Sequence, residues 1–312
     1  MDQNSSKRFG VIMKISNVIK SPADSRDFVY VYAADAVLPE SMDLRSFAGS
    51  IEHQGQTGSC VANATVSAME ILLTRAGKFE NLSRLFQYWN LREGYSELEG
   101  KDVGSYPRDA FKVANKIGIC DEVVWPFDST KVNTKPDEQA YSDAASTKAY
   151  GYYSIPIDSS EESRSQALRA VKSAVASGYP VLVSAMINKE FQLIRSAAIE
   201  DTRRQFANVA EPIGGHAMLI VGYKGDDLLI ENSWGTSWGC AGYALLDGKA
   251  FFKDVFELWV CTGLNGEALP ALETPIPLEL IRPAPPSSNK TTTIMFVVVM
   301  LLIAYFATAT VK

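Results

Sequence analysis

Basic charge is too sparse here for a nucleic-acid binder: 30 Lys and Arg face 36 Asp and Glu, the net charge is −6, and no Lys/Arg run offers a phosphate-binding stripe. Histidine is scarcer still. The chain has only two, His53 and His216, and its four cysteines (Cys60, Cys120, Cys240, Cys261) never fall into C-x-x-C spacing. That excludes a zinc site, and no metal or other cofactor is expected. Four cysteines in 312 residues do not make a disulfide framework either, although a Cys240–Cys261 bridge stays open. The N-terminus, M-D-Q-N-S-S-K-R-F-G-V-I-M-K-I, lacks a signal peptide's apolar h-region, because Lys14 interrupts it.

Long apolar runs are confined to the end of the chain. From Ile294 to Ala307 every residue is apolar or aromatic, and the uncharged run extends over 291–311, about the ~20 residues that cross a bilayer. A transmembrane helix is expected there. Residues 266–290 before it hold six of the fourteen prolines and read as an extended linker.

Within the rest, 1–37 shows no periodicity and reads as an N-terminal extension or short prosegment. Helical spacing follows over 54–77, with Ser59 as N-cap, Ala62, Val66, Met69 and Leu73 on one face, and Gly77 as the stop. Two more helices are expected, with Leu82, Leu85, Phe86 and Trp89 inward in one, and Ala110, Val113, Ala114 and Ile117 inward in the other. After about residue 150 the pattern turns to short apolar runs between turns, which predict strands. Helices first and strands later give an α+β protein with two lobes, helical over about 50–150 and β over about 151–265.

The stretch Q-G-Q-T-G-S-C-V-A-N-A, residues 54–64, carries the chemistry. A cysteine opening a helix feels the positive end of the helix dipole, which favours thiolate. The dipole alone is modest, so a neighbouring imidazolium is needed to bring the thiol pKa from ~8.5 to the ~3 to 4 of the strongest ion-paired cases. His216, in G-G-H-A, is the candidate, because Asn232 follows sixteen residues later, one hairpin away. An amide oxygen on one ring nitrogen would leave the other aimed at Cys60. Gln54 and the Cys60 N–H would supply two oxyanion donors, and Gly55 and Gly58 let the loop fold tightly. His53 reads as a surface residue.

These motifs together resemble the papain/cathepsin family of cysteine peptidases: Gln54, G-S-C at 58–60, G-G-H-A at 214–217 and N-S-W-G-T-S-W-G at 232–239. L-P-E-S-M-D-L-R at 38–45 is similar to the family's mature start, and D-V-G-S-Y-P at 102–107 to its substrate-facing glycine segment. The resemblance covers about 38–262 and implies a papain-like two-lobed fold, helical lobe plus β-barrel-like lobe, in a peptidase domain over 38–265. It implies a cysteine-type endopeptidase acting on polypeptides, with Cys60 as nucleophile, His216 as proton carrier, Asn232 as orienter and Gln54 as oxyanion donor. Ser105, Tyr106, Pro107 and Ala217 would contact substrate, and Trp234 would shield the His–Asn bond. No acid precedes His216, so no strong preference for a basic side chain is expected.

Departures from the pattern matter as well. Thr57 stands where the family has a bridging cysteine, with Asp102 about where its partner would be, and Val61 replaces an aromatic. Some 37 leading residues are too few for a long helical inhibitory prosegment. Poor in disulfides and carrying a C-terminal apolar run, the chain resembles more narrowly the papain-like proteases of large DNA viruses of the iridovirus type. It is expected to be monomeric, anchored by one C-terminal span, with its catalytic part facing the cytosol. The same site would serve isopeptide hydrolysis or acyl transfer, and a catalytically silent, membrane-tethered binding protein is the reading from another class.

Overall fold

The computed structural model describes residues 18–205 and 211–278. The expected transmembrane run at 291–311, the later part of the linker and residues 1–17 lie outside them. Among the described residues no helix is long and apolar enough to cross a membrane.

The helices are α1 (Cys60–Arg75), α2 (Arg84–Arg92), α3 (Asp109–Lys116), α4 (Glu138–Ala144), α5 (Glu161–Ala176), α6 (Lys189–Leu193), α7 (Ile199–Gln205) and α8 (Gly248–Phe251). The strands are β1 (Ser41–Asp43), β2 (Ala149–Ser154), β3 (Val181–Ile187), β4 (Gly214–Lys224), β5 (Asp227–Glu231), β6 (Tyr243–Asp247), β7 (Val255–Leu264) and β8 (Glu267–Ala268). All eight strands join one antiparallel sheet, ordered β2-β7-β3-β4-β5-β6, with β1 on β4 and β8 on β7. The sheet recruits β1 from before the helical region, so the β part is not confined to residues after 150.

Helix α1 is buried nearly all round, from Cys60 to Leu73 with Ser67 as the exception, rather than along the single predicted face. Small alanines allow this, because α1 must fit between α2 and α3 on one side and β4 on the other. In α2, Tyr88 is fully buried while Trp89 is only half-buried; in α3, Phe111 takes the interior place expected of Val113 and Ile117, both half-buried.

The strand reading after residue 150 misses α5. Its signals are clear: Ser160 accepts from Ser163 N–H, Glu161 and Glu162 occupy the first turn, and Ala167, Leu168, Ala170, Val171, Ala174 and Val175 recur at helical spacing and are buried. Both α1 and α5 pack on β4, so β4 is buried from 215 to 223 whichever way its side chains point.

Two segments expected to hang free are docked. Past β8, Leu269, Leu272 and Ile276 pack on the core, Leu278 is buried, and Arg75 Nη2 donates to Pro270 O at 2.7 Å. At the other end the chain forms a strap. Val18 N–H donates to Gly215 O at 3.4 Å, Ser21 N–H to a Glu257 carboxylate oxygen at 2.9 Å, and Val29 bridges to Ser154 on β2. Arg108 fastens the strap, with Nη2 2.7 Å from Asp24, Nε 2.9 Å from Asp27 and its backbone N–H on Ser21 Oγ at 3.0 Å.

Candidate active site

The loop before α1 is tied down from three directions. Gln54 is fully buried; its N–H donates to Ser233 O at 2.9 Å and its Oε1 accepts from Ser233 Oγ at 2.7 Å. Gln54 Nε2 donates to Thr57 O at 2.9 Å, so one of its two amide protons is held within its own loop. Thr57 Oγ1 bonds Gln54 O and Ser59 Oγ, each at 2.7 Å. Thr57 and Asp102, where the family would place a disulfide, are used separately: Asp102 Oδ1 accepts from Gly58 N–H at 2.6 Å and from Tyr88 OH at 2.7 Å. A Cβ at Gly58 would lie 2.6 Å from both Gly104 N and the Tyr88 hydroxyl, so only glycine allows this approach.

Ser59 occupies the N-cap position, yet its hydroxyl does not cap the helix; it bonds Thr57 Oγ1 and Asn63 Nδ2 instead. Cys60 opens α1 with no exposed surface. Cys120, Cys240 and Cys261 are also buried and unbridged, which closes the Cys240–Cys261 alternative. Burial pushes the Cys120 thiol up to about 12 and Cys261 up to about 11, so neither is poised to react.

His216 lies on β4 opposite Ala185 of β3, and the β4–β5 hairpin brings Asn232 to its side. His216 Nε2 is 2.8 Å from Asn232 Oδ1, which also accepts from Ser233 N–H at 2.8 Å. An oxygen acceptor requires the proton on Nε2, which leaves Nδ1 with no protein partner. Trp234 stacks on the imidazole with ring centroids 4.5 Å apart and planes 24° apart. Phe191 and Trp238 meet Trp234 edge-on, and Trp238 Nε1 donates to Phe191 O at 2.9 Å. The sequence reading assigned Phe191 and Trp238 no role; their signal was the K-E-F-Q-L-I-R block and the second Trp of N-S-W-G-T-S-W-G.

Electrostatically, burial lowers the His216 pKa to about 4, only partly offset by the Asn232 bond. Burial thus favours the neutral ring and works against the imidazolium expected from the sequence. Charge there needs hydration or a thiolate beside it.

Of the expected substrate contacts, Ser105, Pro107 and Ala217 are buried, while Tyr106 is half-buried with its hydroxyl on Glu97 at 3.1 Å. The loop that bears them is fixed through Gly104 N–H on Tyr88 OH at 3.3 Å. The strap passes beside both walls, at Gly215 before His216 and at Arg108 after Pro107. His53 is exposed, its Nδ1 accepting from Gly55 N–H at 2.9 Å. Among the described residues no group of His, Cys, Asp and Glu is placed to hold a metal ion.

Cys60, Gln54, His216 and Asn232 thus come from one helix start and one strand hairpin packed together. Comparison with known proteins identifies the family. A peptidase C1-like protein of Acanthamoeba polyphaga mimivirus is 33% identical over 199 residues, 61% of this chain and 61% of that protein. Mouse cathepsin K is 32% identical over 247 residues, 76% of this chain and 68% of its own. The crystal structure of xylellain, a cysteine protease from Xylella fastidiosa, superposes with a TM-score of 0.69 at 27% identity, covering 80% of this chain and 96% of that one. The family profile described as papain family cysteine protease matches residues 38–250, most of the chain, and the chain therefore belongs to that family.

Proposed function

We propose that the chain is a thiol endopeptidase whose reaction runs through Cys60, His216, Asn232 and Gln54. Sγ of Cys60 loses its proton to His216 Nδ1 and attacks the peptide carbonyl; His216 returns the proton to the departing amine, leaving a thioester. Water, activated by His216, then releases the acid and regenerates the thiol. The Cys60 N–H and the Gln54 amide face the developing oxyanion. Asn232 fixes the ring, and Trp234 keeps water off the bond between them. The observation that carries this reading is the 2.8 Å contact of His216 Nε2 with Asn232 Oδ1, which leaves the other ring nitrogen unbonded.

The strap from Val18 onward is read as an inhibitory segment, since Cys60 and His216 have no exposed surface while it lies against Gly215. The uncharged run at 291–311 is read as a membrane tether with the catalytic part in the cytosol. The likeness to a mimivirus protein supports placement among proteases of large DNA viruses. An epoxide thiol probe tests the chemistry: it should modify Cys60, and Cys60→Ala should abolish both labelling and peptide cleavage. A folded wild-type chain that never labels at Cys60 counts against the proposal.

A further inference from the structure

Beside Asn232 lies a small cavity of about 10 Å³. Glu52, Asn63, Ser67, Glu231, Asn232 and Ser233 line it, with Ala64 and the backbone strand at 217–219 completing the wall. Two polar atoms of these buried residues have no protein partner: Asn232 Nδ2, a donor, and Asn63 Oδ1, an acceptor. Both side chains are nearly fully buried, at 3% and 2% exposed. Their other atoms are committed. Asn63 Nδ2 donates to Ser59 O and Ser59 Oγ, each at 2.9 Å, and Asn232 Oδ1 accepts from Ser233 N–H and His216.

An orphan donor and an orphan acceptor that line one cavity with room for a single water make a built site for that water, which usually takes about three hydrogen bonds. We infer that the cavity binds one structural water, accepting from Asn232 Nδ2 and donating to Asn63 Oδ1, and that this bridge makes Asn63 a positioning residue for Asn232 and so for His216. The second water proton faces the carboxyl wall of Glu231 and Glu52. Glu52 is paired with Arg84 at 2.6 Å, and Glu231 accepts from Tyr243 OH at 3.2 Å. Burial raises the Glu231 pKa to about 7, with the Glu52 charge adding to it.

The water specifies which way the Asn232 amide points. Turned over, the amide would set its NH2 against the Nε2–H of His216 and the N–H of Ser233, and it would demand a proton the water already gives to Asn63 or the carboxyl wall. With the water in place, the observed orientation gives both ends of the Asn232 amide a partner. Neither Asn63 nor Ser67 belongs to the reacting set; they sit one and two turns into α1, Asn63 bonded to Ser59 through Nδ2 and Ser67 bonded to Glu231, which leaves Asn63 Oδ1 for the water.

The inference rests on the proposed Cys60–His216 chemistry, and paired variants separate the two. Asn63→Ala enlarges the cavity and leaves it wet; Asn63→Leu keeps the branched shape of Asn with bulkier apolar ends and dries it. Both lose the same bonds to Ser59. If the water positions Asn232, Asn63→Ala, which removes one end of the bridge but keeps room for water, loses severalfold in kcat, while Asn63→Leu, which excludes the water, loses roughly tenfold more, both with KM unchanged. In Asn63→Leu the alkaline limb of the Cys60 alkylation profile should also move to lower pH, because a loosened Asn232 holds the imidazolium less well. Equal impairment of the two variants, with an unshifted profile, overturns the inference. So does a crystal structure of the wild-type protein with no ordered water between Asn63 and Asn232, a result available even if Asn63→Leu fails to fold. A wild-type chain unlabelled at Cys60 would instead defeat the underlying catalytic reading.

Discussion

His216 sits between two opposing demands. Full burial favours the neutral ring, at a cost to the charged form on the order of 3 kcal/mol for a pKa lowered to about 4. Asn232 and, when ionised, Cys60 favour the charged one. Removing Asn232 should therefore hurt turnover far more than binding: Asn232→Ala is expected to lower kcat about a hundredfold with little change in KM, checked by steady-state kinetics on a peptide substrate. Two buried carboxyls set a separate pH dependence. Burial raises Glu70 to about 8 and Glu231 to about 7. A raised carboxyl contributes stability that is complete below about pH 4.5 and lost as pH rises through its folded value, whereas the lowered His216 loses stability only below about 6.5. Between pH 6.5 and 8 only the carboxyls act, so the melting temperature should fall across that interval. Glu70→Gln keeps the acceptor that holds Leu82 N–H at 2.8 Å and should flatten the fall. An unchanged pH slope in that variant would contradict this assignment.

At the scale of elements, the turn before α1 and the strap are where sequence and structure part. Spacing and residue type were enough to find α1 and the β4–β5 hairpin, and to expect His216 beside Asn232, because motif glycines and helical periodicity are local signals. The tie between loops was not legible: Asp102 was noted only as standing where a cysteine partner would be, and nothing local announces that it holds both Gly58 N–H and Tyr88 OH. Asp102→Ala would leave a Gly58 donor without that partner and should cost about 1–3 kcal/mol in a urea titration. Helix α5 was missed although its cap and spacing were present, because the strand reading was extended over all residues past 150. The strap and the docked stretch at 269–278 could not be read at all, since both bury few residues and are held by partners far away in sequence, Arg108 on Asp27 and Glu257 on Ser21 among them. Arg108 is the strap's main anchor. Arg108→Ala removes its bonds to Asp24 and Asp27, worth together about 1–2 kcal/mol at this partial exposure, and should speed thiol labelling roughly tenfold. Labelling at the wild-type rate would mean the strap does not guard the site.

For the whole molecule, the proposed membrane tether and the proposed inhibitory strap make one account, that of a protease held at a surface until its strap is displaced. If the run at 291–311 is a tether, the full chain should sediment with membranes and a chain ending at 288 should stay in the supernatant; both remaining soluble would remove the tether. The central claim is chemical and asks for one measurement. Wild-type protein is incubated with an epoxide thiol probe at neutral pH, and each cysteine is read by mass spectrometry. The account predicts that Cys60 accumulates label faster than Cys120, Cys240 and Cys261, and loses that advantage in His216→Ala. Label spread evenly over the four, or Cys60 labelling indifferent to His216, would contradict it.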